Sequence, residues 1–582
     1  MVLLLFLITS YSIHRMKIIT YRKSLFTLAI SVLLYVPTLS VAQVSPSIEW
    51  QHCIGGTGNE ESPVIIATRD GGYVMVAVTY SKDGDVRNAP PTEFNGWVVK
   101  LDEFGQIQWS RCVDGDHQSF LNSVIETADG SFVVAGGTAS LYFDGTKTHG
   151  GTDALVMKLN EDGGIIWQKV FGGSGSDVAY SVVERNREGG GYIFAGFTTS
   201  NDGDAIERPP GSGSAWIVEI SRDGDIQWQK YLGGSKGESI SSILQTTDGG
   251  FVFSGTSSSN DGDVVGHKGA NENGWIVKLN TSGSIIWQKS FYCTFKIIPN
   301  GKQPIVITPD GGITAIGSTS ELDSSVQGYH KSNDFFGTLD VYVVHLNSLG
   351  TILWERCYGG TENDYGHSIC TTSDGGYLFI GSAFSNDGDV SGNHQSNVPS
   401  SYKGFDAWVV KLSINGSIEW QKCYGGPANE SGSSILQTKD GKILFGAYAN
   451  SIDGDGDVYG LHSISPDMKN NSDIWVVKLG INAGVTDDSN FDFTGLIRDK
   501  FLKIYPNPSS TSVHLEMLPW FTTKGVEIYN LLGTKISCET TIAENGANVN
   551  VKSLPNGTYI ARVAYTTEKV NGTFTLPLIV YH

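Results

Sequence analysis

Basic residues are scarce in this chain. It has 582 residues, with 40 Lys and Arg against 60 Asp and Glu, which gives a net charge of −20. Because such a charge repels phosphate groups, the composition argues against nucleic acid or an anionic membrane surface as a partner. A cationic partner or a divalent metal remains compatible with it.

Charged residues of either sign make up only 17% of the chain, whereas glycine is abundant with 72 residues. This composition is typical of many short strands joined by tight turns, not of helices. The length exceeds what one ordinary core can organise, so we expect at least two domains.

Long apolar runs are lacking outside the N-terminus. There a basic pair at 22–23 precedes an apolar run over 25–39, and small residues follow at 40–42. This order predicts a signal peptide over 1–42 and no transmembrane segment in the mature chain. A membrane anchor is the alternative, which the short and proline-interrupted run disfavours. A signal that starts at Met16 has ordinary proportions, which favours Met16 as the true start.

Cysteine is also sparse, with seven residues, an odd number. Cys53, Cys112, Cys357 and Cys423 each stand three residues after a recurring Trp. Equivalent positions in neighbouring repeats lie too far apart to bridge, so we interpret these side chains as small buried hydrophobes. Cys357 and Cys370 flank one short strand connection and form the pair to test for a disulfide.

Sequence motifs of catalysis are lacking too. The chain has no nucleophile elbow, paired metal motif or phosphate-binding loop. The stretch nearest to a sialidase Asp-box, 221–228, carries Asp225 where that motif requires Gly. We therefore assign no catalytic and no cofactor-binding residue.

What the sequence does contain is one unit repeated seven times. Its marker is Ile-x-Trp, which recurs at spacings of 58 to 67 residues. A Gly-Gly turn, an apolar strand, an Asp-Gly type of turn, a second strand, a long polar loop and a third strand separate one marker from the next. The marker tryptophans are Trp50, Trp109, Trp167, Trp228, Trp287, Trp354 and Trp420.

Each unit predicts four short strands. Such a sheet cannot bury both faces alone, but sheets stacked around an axis bury them, as in a β-propeller. The sequence therefore predicts an all-β fold with a seven-bladed β-propeller over 43–480. A parallel β-helix is the alternative, although its coils would be shorter and would lack the Asp-Gly hairpins.

The array is cut in the middle of its unit at both ends. The first copy shows only the back half, from Ile48, and the last only the front half, Asp473 to Leu479. We expect residues 48–52 to pair with 475–479, so that the N- and C-terminal strands close the ring without an open edge. Trp50 is then expected to be buried like the other marker tryptophans.

The stretch VVKLDEFGQIQW, Val98 to Trp109, and its sister copies resemble the strand–turn–strand–Trp units of secreted bacterial β-propeller repeat proteins, and more distantly those of quinoprotein propellers. The resemblance covers about Ser47 to Gly480. It implies the fold but no particular role, since such repeats serve many functions.

The repeat stops at Gly480. An acidic, turn-rich segment over 481–499 is interpreted as a linker, and 500–582 predict a small antiparallel β-sandwich. YPNP, YNLLG and LPNGTY follow in this order, and the succession resembles the C-terminal sorting domain of the type IX secretion system of Bacteroidetes. The motif residues are Tyr505, Pro506, Asn507, Pro508, Gly533, Leu554, Pro555, Gly557 and Tyr559.

This second resemblance implies a secreted protein that passes through the periplasm, crosses the outer membrane with the type IX machinery as its partner and is attached to the cell surface. It also implies removal of the sorting domain. One departure concerns the end of the chain, which carries Pro577 and lacks the Lys that usually precedes the last apolar strand, so the extent of that strand is left open.

The long polar loops carry SNDGDV and its variants. Carboxylates two residues apart on a turn can share Ca²⁺, whereas a plain Asp-Gly turn uses them to cap its own backbone; both interpretations stay open, and calcium is the one cofactor considered. The aspartates are Asp83, Asp85, Asp202, Asp204, Asp261, Asp263, Asp387, Asp389, Asp453, Asp455 and Asp457.

Histidines follow several of these loops. They stand on separate repeats, so we interpret them as surface or packing residues rather than as zinc ligands, which must converge. They are His149, His267, His330, His394 and His462.

Taken together, the residues favour a monomeric, surface-attached propeller that binds an extracellular glycan or protein, or serves as a scaffold, without enzyme activity. A propeller hydrolase or lyase acting on glycans is the alternative, and a structural surface protein without a ligand is a third interpretation. An unrepeated cluster of Arg, Glu and Tyr at one end of the axis would favour the enzyme, and an aromatic-lined groove would favour binding.

Overall fold

The computed structural model describes most of the chain between 45 and 580. The described ranges are 45–113, 115–143, 146–186, 189–209, 211–267, 272–293, 304–320, 326–330, 338–394, 404–451, 456–462, 472–480, 502–505, 511–517, 522–530, 535–543, 546–555, 557–566 and 571–580. Within these ranges, every regular element of secondary structure is a β-strand. Nowhere in these ranges does a helix occur that is long and apolar enough to cross a membrane.

The repeat region contains seven four-stranded antiparallel sheets, numbered here along the chain. It opens with β1 (Ile48–Ile54), which belongs to the last sheet. Sheet 1 is β2 (Glu60–Ala67), β3 (Tyr73–Thr79), β4 (Asn95–Leu101) and β5 (Ile107–Cys112). Sheet 2 is β6 (Ser119–Glu126), β7 (Phe132–Thr138), β10 (Asp153–Leu159) and β11 (Ile165–Phe171), with a small hairpin, β8 (Tyr142–Phe143) and β9 (Thr146–Lys147), between its second and third strands.

Sheets 3 to 5 repeat this order. Sheet 3 is β12 (Asp177–Glu184), β13 (Tyr192–Thr198), β14 (Ser214–Ile220) and β15 (Ile226–Leu232). Sheet 4 is β16 (Glu238–Gln245), β17 (Phe251–Ser257), β18 (Asn273–Leu279) and β19 (Ile285–Phe291). Sheet 5 is β20 (Ile305–Ile307), β21 (Ile313–Thr319), β22 (Asp340–Leu346) and β23 (Ile352–Tyr358).

Sheets 6 and 7 complete the set. Sheet 6 is β24 (Asp364–Thr371), β25 (Tyr377–Ala383), β26 (Asp406–Leu412) and β27 (Ile418–Tyr424). Sheet 7 is β28 (Glu430–Gln437), β29 (Ile443–Ala449), β30 (Asp473–Leu479) and the N-terminal β1.

The Asp-Gly turns join the first and second strands of a sheet, as the sequence predicts. In the turn between β16 and β17, Gly249 has a φ of +79°, a conformation that glycine adopts without the steric cost of a side chain. Asp248 Oδ1 accepts the backbone N–H of Gly250 at 3.0 Å and so holds the turn closed.

The predicted pairing of the chain ends is confirmed. β1 runs antiparallel to β30, with Gln51 opposite Val477 and His52 opposite Val476. Beyond this strand pair, the Tyr424 hydroxyl of sheet 6 donates a hydrogen bond to the carbonyl of Pro46 at 2.6 Å. The N-terminal segment is therefore held by the two sheets at the C-terminal end of the array.

Apolar residues of neighbouring sheets share cores. One cluster joins sheets 1 and 2, another sheets 2 and 3, and so on to sheets 6 and 7. A further cluster joins sheet 7 to sheet 1, through residues such as Val476 and Met75. The first strands contact one another in the same sequence, and β28 contacts β2. These first strands are therefore innermost.

Trp50 is less buried than the sequence predicts. Trp50 is half-buried, as are the other marker tryptophans except Trp420, which is 8% exposed. They stand on the outermost strands, where the indole lies against a turn of the next sheet. A Cβ on Gly105 of that turn would lie 2.7 Å from the Trp50 ring. The fully buried tryptophans are a second set on the third strands, Trp97, Trp216, Trp275, Trp408 and Trp475.

The cysteines at the marker register are buried as expected, Cys357 and Cys423 for example. Cys357 and Cys370 are both thiols, so the disulfide considered between them does not form. Because neither side chain is exposed, both are sheltered within their sheets.

Two more four-stranded sheets lie near the C-terminus. The first contains β31 (Leu502–Tyr505), β32 (Ser512–Met517), β36 (Gly546–Asn550) and β35 (Thr540–Ala543); the second contains β34 (Lys535–Ile536), β33 (Thr522–Asn530), β37 (Gly557–Thr566) and β38 (Asn571–Val580). Val513 and Ala547 of the first share a core with Ile528 and Val563 of the second, which is the packing of a β-sandwich. β38 continues through Pro577, opposite Ile560.

Candidate functional sites: the sorting module and the loop end of the sheets

The sorting motifs fall at the ends of strands in the C-terminal sandwich. Tyr505 ends β31 and Gly557 begins β37. Leu554 and Tyr559 are buried in the shared core, and the Tyr559 hydroxyl donates to the carbonyl of the exposed Pro555 at 2.9 Å. Leu554, Pro555 and Tyr559 of this motif therefore have a structural role at the entry into β37. The remaining motif residues, Pro506, Asn507, Pro508 and Gly533, lie outside the described residues.

In four of the long loops, the first aspartate binds the backbone of the Gly-Gly turn in the same repeat. Asp83 Oδ1 accepts the Thr57 N–H at 2.8 Å, and Asp387 accepts that of Thr361 at the same distance. Asp202 and Asp261 accept the equivalent N–H groups from serine. These backbone hydrogen bonds lower the pKa of all four carboxyls.

The second aspartate contacts the same turn through a backbone hydrogen bond. The Asp85 N–H donates to the carbonyl of Gly55 at 2.8 Å, and Asp457 binds Gly425 in the same way. Asp204, Asp263 and Asp389 repeat the contact. Asp453 and Asp455 lie outside the described residues. These loops thus have a structural role in the repeats that carry them, and calcium binding there remains a prediction.

A pair of buried carboxyls faces each of four Gly-Gly turns. One is the first residue of a third strand, and the other is the first residue of the next innermost strand. A Cβ on Gly359 would lie 2.8 Å from both Asp340 Oδ1 and Asp364 Oδ2, so the two oxygens converge on this glycine. The pairs are Asp153 with Asp177, Asp340 with Asp364, Asp406 with Glu430, and Asp473 with Glu60. All eight residues are at most 1% exposed.

Burial shifts the ionisation of several of these carboxyls. It raises the pKa of Glu60 and Glu430 to about 7 and that of Asp153 to about 6, because the low-dielectric surroundings disfavour the charged form. In each pair, Oδ1 of the third-strand aspartate is buried without a hydrogen-bond partner, although His149 Nδ1 lies 3.3 Å from Asp153 Oδ1. A proton shared with the facing carboxyl would satisfy that oxygen and remove the repulsion between two anions.

Four of the five loop histidines bind these aspartates. His462 Nδ1 lies 2.8 Å from Asp473 Oδ2, and His394 Nδ1 lies 2.6 Å from Asp406 Oδ2. His149 and His330 repeat the pairing, and the hydrogen bonds raise the pKa of His394 and His462. These four histidines therefore lie against buried carboxyls and are not plain surface residues. In the described part of the chain, no three His, Cys, Asp or Glu side chains are arranged to hold a metal.

Aromatic side chains collect at the end of the sheets from which the long loops leave. In sheet 6, the rings of Phe384 and Phe405 lie 4.5 Å apart between centroids, and Tyr365 lies 6.1 Å from Phe384. Tyr80 and Phe94 form such a pair in sheet 1, and Tyr180 stacks on Phe197 in sheet 3. Most of these rings are half-buried, and Tyr80 is 37% exposed. We call these seven residues the aromatic rim. Single-sequence reasoning missed them because they share no motif.

Comparison with known proteins identifies the C-terminal module. Residues 503–575 match the family model of the secretion system C-terminal sorting domain. The chain therefore carries a type IX secretion signal, is secreted through that system and is attached to the cell surface, in agreement with the sequence motifs. The match covers the C-terminal module and not the repeat region.

Solved structures match the chain over longer ranges at low identity. The Neurospora crassa Pan2 WD40 domain is 8% identical, with a TM-score of 0.38, over 74% of this chain and 96% of that one. A Bacteroides caccae protein of unknown function is 13% identical, with a TM-score of 0.28, over 54% and 94%. PorZ, a surface component of the type IX secretion system of Porphyromonas gingivalis, is 10% identical, with a TM-score of 0.28, over 90% and 74%. No curated protein matches the chain.

Proposed function

We propose that residues 43–480 form a closed seven-bladed β-propeller that acts as a binding module on the cell surface. The pairing of β1 with β30 and the shared core of sheets 7 and 1 support closure. The linker over 481–499 and the sorting domain over 500–582 complete the proposed organisation. The chain acts as a monomer, with the secretion machinery as the partner of its C-terminal domain.

The aromatic rim is the observation that carries the binding role. Partly exposed rings at one end of several sheets offer flat apolar faces, onto which sugar rings or apolar side chains of a protein can stack. The seven rings lie on only three of the sheets, so the fold of the repeat does not require them. The core of each sheet is built without them.

The chemistry of the rim favours a neutral or cationic ligand. Glu61 and Glu93 act on Tyr80, whose pKa is raised first by burial and then by these two carboxylates. With a net charge of −20 on the whole chain, an anionic ligand would meet repulsion. A glycan or a host extracellular protein fits these conditions.

A binding screen of the mature chain, from Gln43, against neutral and charged glycans and extracellular proteins tests the proposal. For any ligand found, Phe405→Ala should weaken binding by about tenfold, which corresponds to ~1.4 kcal/mol of lost contact. Phe104→Ala is the matched control, because Phe104 is 63% exposed in a turn at the other end of sheet 1. Equal effects of the two substitutions would contradict a binding role of the aromatic rim.

A further inference from the structure

Sheets 1 and 6 carry the same pair of rings in the aromatic rim. Tyr80 follows the second strand of sheet 1 and Phe94 precedes the third, with 5.3 Å between the ring centroids. Phe384 and Phe405 occupy the corresponding positions in sheet 6, with 4.5 Å between their centroids. The two sheets therefore offer matched aromatic faces at the loop end.

The residue beside each pair differs. In sheet 6 it is Tyr365, which stands opposite Ser382 in the strand register and contacts Phe384 with its ring. In sheet 1 the same register position, opposite Val78, is occupied by Glu61. Sheet 6 thus completes its pair with a third ring, whereas sheet 1 places a carboxyl group there.

Glu61 and Tyr80 lie on the same side of sheet 1. The Tyr80 N–H donates to the carbonyl of Asn59 at 2.8 Å, which extends the strand pairing by one residue beyond Thr79. Val78, opposite Glu61, stands two residues before Tyr80, and side chains two apart in a strand project from the same side. The carboxyl group and the phenol ring are therefore diagonal neighbours within reach of each other.

A second carboxylate, Glu93, directly precedes Phe94. Gln118, at the start of sheet 2, donates from its side-chain amide to Glu93 Oε2 at 2.6 Å. Burial raises the pKa of Tyr80 first, and Glu61 and Glu93 raise it further, so both carboxylates act on its hydroxyl group. Within the described ranges, neither of these glutamates forms an ion pair with a Lys, Arg or His side chain.

The groups around this ring pair are accessible from solvent. Tyr80 is 37% exposed, Glu93 is exposed, and Glu61 and Phe94 are half-buried. Burial raises the pKa of Glu61 because it disfavours the charged form, so a cation held beside this carboxylate offsets part of that cost. The faces of the two aromatic rings carry a negative potential and attract the same cation.

We propose that the sheet 1 part of the aromatic rim is a cation site, which takes an ammonium or guanidinium group on an apolar stem. Its residues are Glu61, Glu93, Tyr80 and Phe94. The stem packs against the rings, and the charged end lies against the two carboxylates. The cation site rests on the proposed binding role of the aromatic rim and gives the ligand chemistry of one part of it. The group comes from a Lys or Arg side chain of an extracellular protein or from a free organic amine.

Ligand-observed NMR titration of the full mature chain with butylammonium and with butanol tests the role of charge, since the two compounds share their stem. We expect butylammonium to bind at least about fivefold more tightly, and this preference to shrink as the ionic strength rises. Glu61→Gln should remove most of the preference. Glu103→Gln removes the same charge in an exposed turn at the other end of sheet 1 and should leave the preference intact.

Glu61→Tyr keeps the experiment decisive where Glu61→Gln alters folding, because it copies the arrangement that sheet 6 has at Tyr365. This variant should lose the preference for butylammonium while its thermal unfolding stays cooperative. A lysine peptide that binds more tightly than butylammonium and than its norleucine counterpart identifies a protein source, and binding of the free amine alone identifies a small molecule. Equal affinity for butylammonium and butanol, or equal effects of Glu61→Gln and Glu103→Gln, would overturn the cation site.

Phe405→Ala separates the cation site from the proposed function of the whole rim. This substitution changes sheet 6 only and should leave the preference for butylammonium unchanged. A screen ligand that depends on Phe405, in a chain without that preference, would overturn the cation site and leave the binding module standing. A preference for butylammonium in a chain whose screen ligands ignore Phe405 would support the cation site and contradict the wider rim.

Discussion

The side-chain oxygen of Gln51 accepts a hydrogen bond from the indole of Trp475 at 2.6 Å, across 424 residues of chain. Gln229 and Trp216 make the same bond within one hairpin of sheet 3, only 13 residues apart. The pairing of β1 with β30 therefore includes the same side-chain hydrogen bond as a sheet whose strands are consecutive in the chain.

A double-mutant cycle with Gln51→Leu and Trp475→Phe measures this joint. We expect a coupling free energy of about 1 kcal/mol, the usual net contribution of a buried hydrogen bond. The same cycle at Gln229 and Trp216 is the control and should give a similar value in urea unfolding. A coupling near zero at the chain ends alone would show that β1 is only loosely held.

Ser110→Gln is expected to stabilise the protein. Trp97 Nε1 is buried without a hydrogen-bond partner, and Ser110 stands where Gln229 stands in sheet 3. A glutamine there can accept from Trp97 and should raise the free energy of unfolding by about 1 kcal/mol. Ser110→Leu, of comparable length but without an acceptor, should give no gain in the same unfolding experiment.

Stability is expected to rise as the pH falls from about 8 to about 5. Glu60 and Glu430 have a folded-state pKa of about 7, above the ordinary value of a glutamate. Protonation of these carboxyls therefore stabilises the folded state. This contribution is fully present below the unfolded pKa and is lost as the pH rises through 7. His462 titrates in the same direction, whereas His367, with a pKa lowered to about 4, opposes it. Thermal melts across this range measure the balance.

Asp340→Asn provides the matched test of that interpretation. Asparagine is what sheets 1 and 4 already carry at this register, as Asn95 and Asn273. The substitution leaves Asp364 without a facing carboxyl, so the rise in melting temperature towards low pH should become smaller. An unchanged pH profile would contradict a shared proton between Asp340 and Asp364.

A chain that ends at Gly480 should fold and remain in the periplasm. The repeat sheets and the C-terminal sandwich have separate cores, and the sorting match begins at residue 503. Cell fractionation should therefore find the truncated chain inside the outer membrane, with the melting behaviour of the repeat region preserved. Aggregation of the truncated chain would show that the two parts depend on each other.

The spacing of the marker tryptophans predicts the sheets and the pairing of β1 with β30, because the period of a repeat can be measured in a single sequence. The more deeply buried tryptophans, such as Trp475, are not predicted by the Ile-x-Trp marker, because that marker stands on the outer strand. The pairing of Asp473 with Glu60 could not be predicted from spacing, because the two residues are distant in the chain and meet only when the sheets pack.

The aromatic rim is harder to predict for another reason. Its rings stand on only three of the sheets, so they depart from the repeat, and a departure has meaning only once the contacts of the sister positions are known. The loop histidines carried a usable signal: His149, His330, His394 and His462 each precede an aspartate that begins a third strand.

Amide hydrogen exchange along β1 tests the closed propeller most directly. Because Ile48–Ile54 takes the place of an outer strand in sheet 7, its hydrogen-bonded amides should exchange as slowly as those of β11 or β15, whose strands are held by short turns. This equality is the result that the closed ring predicts. Exchange in β1 at the rate of an unstructured peptide, with β30 still protected, would contradict it.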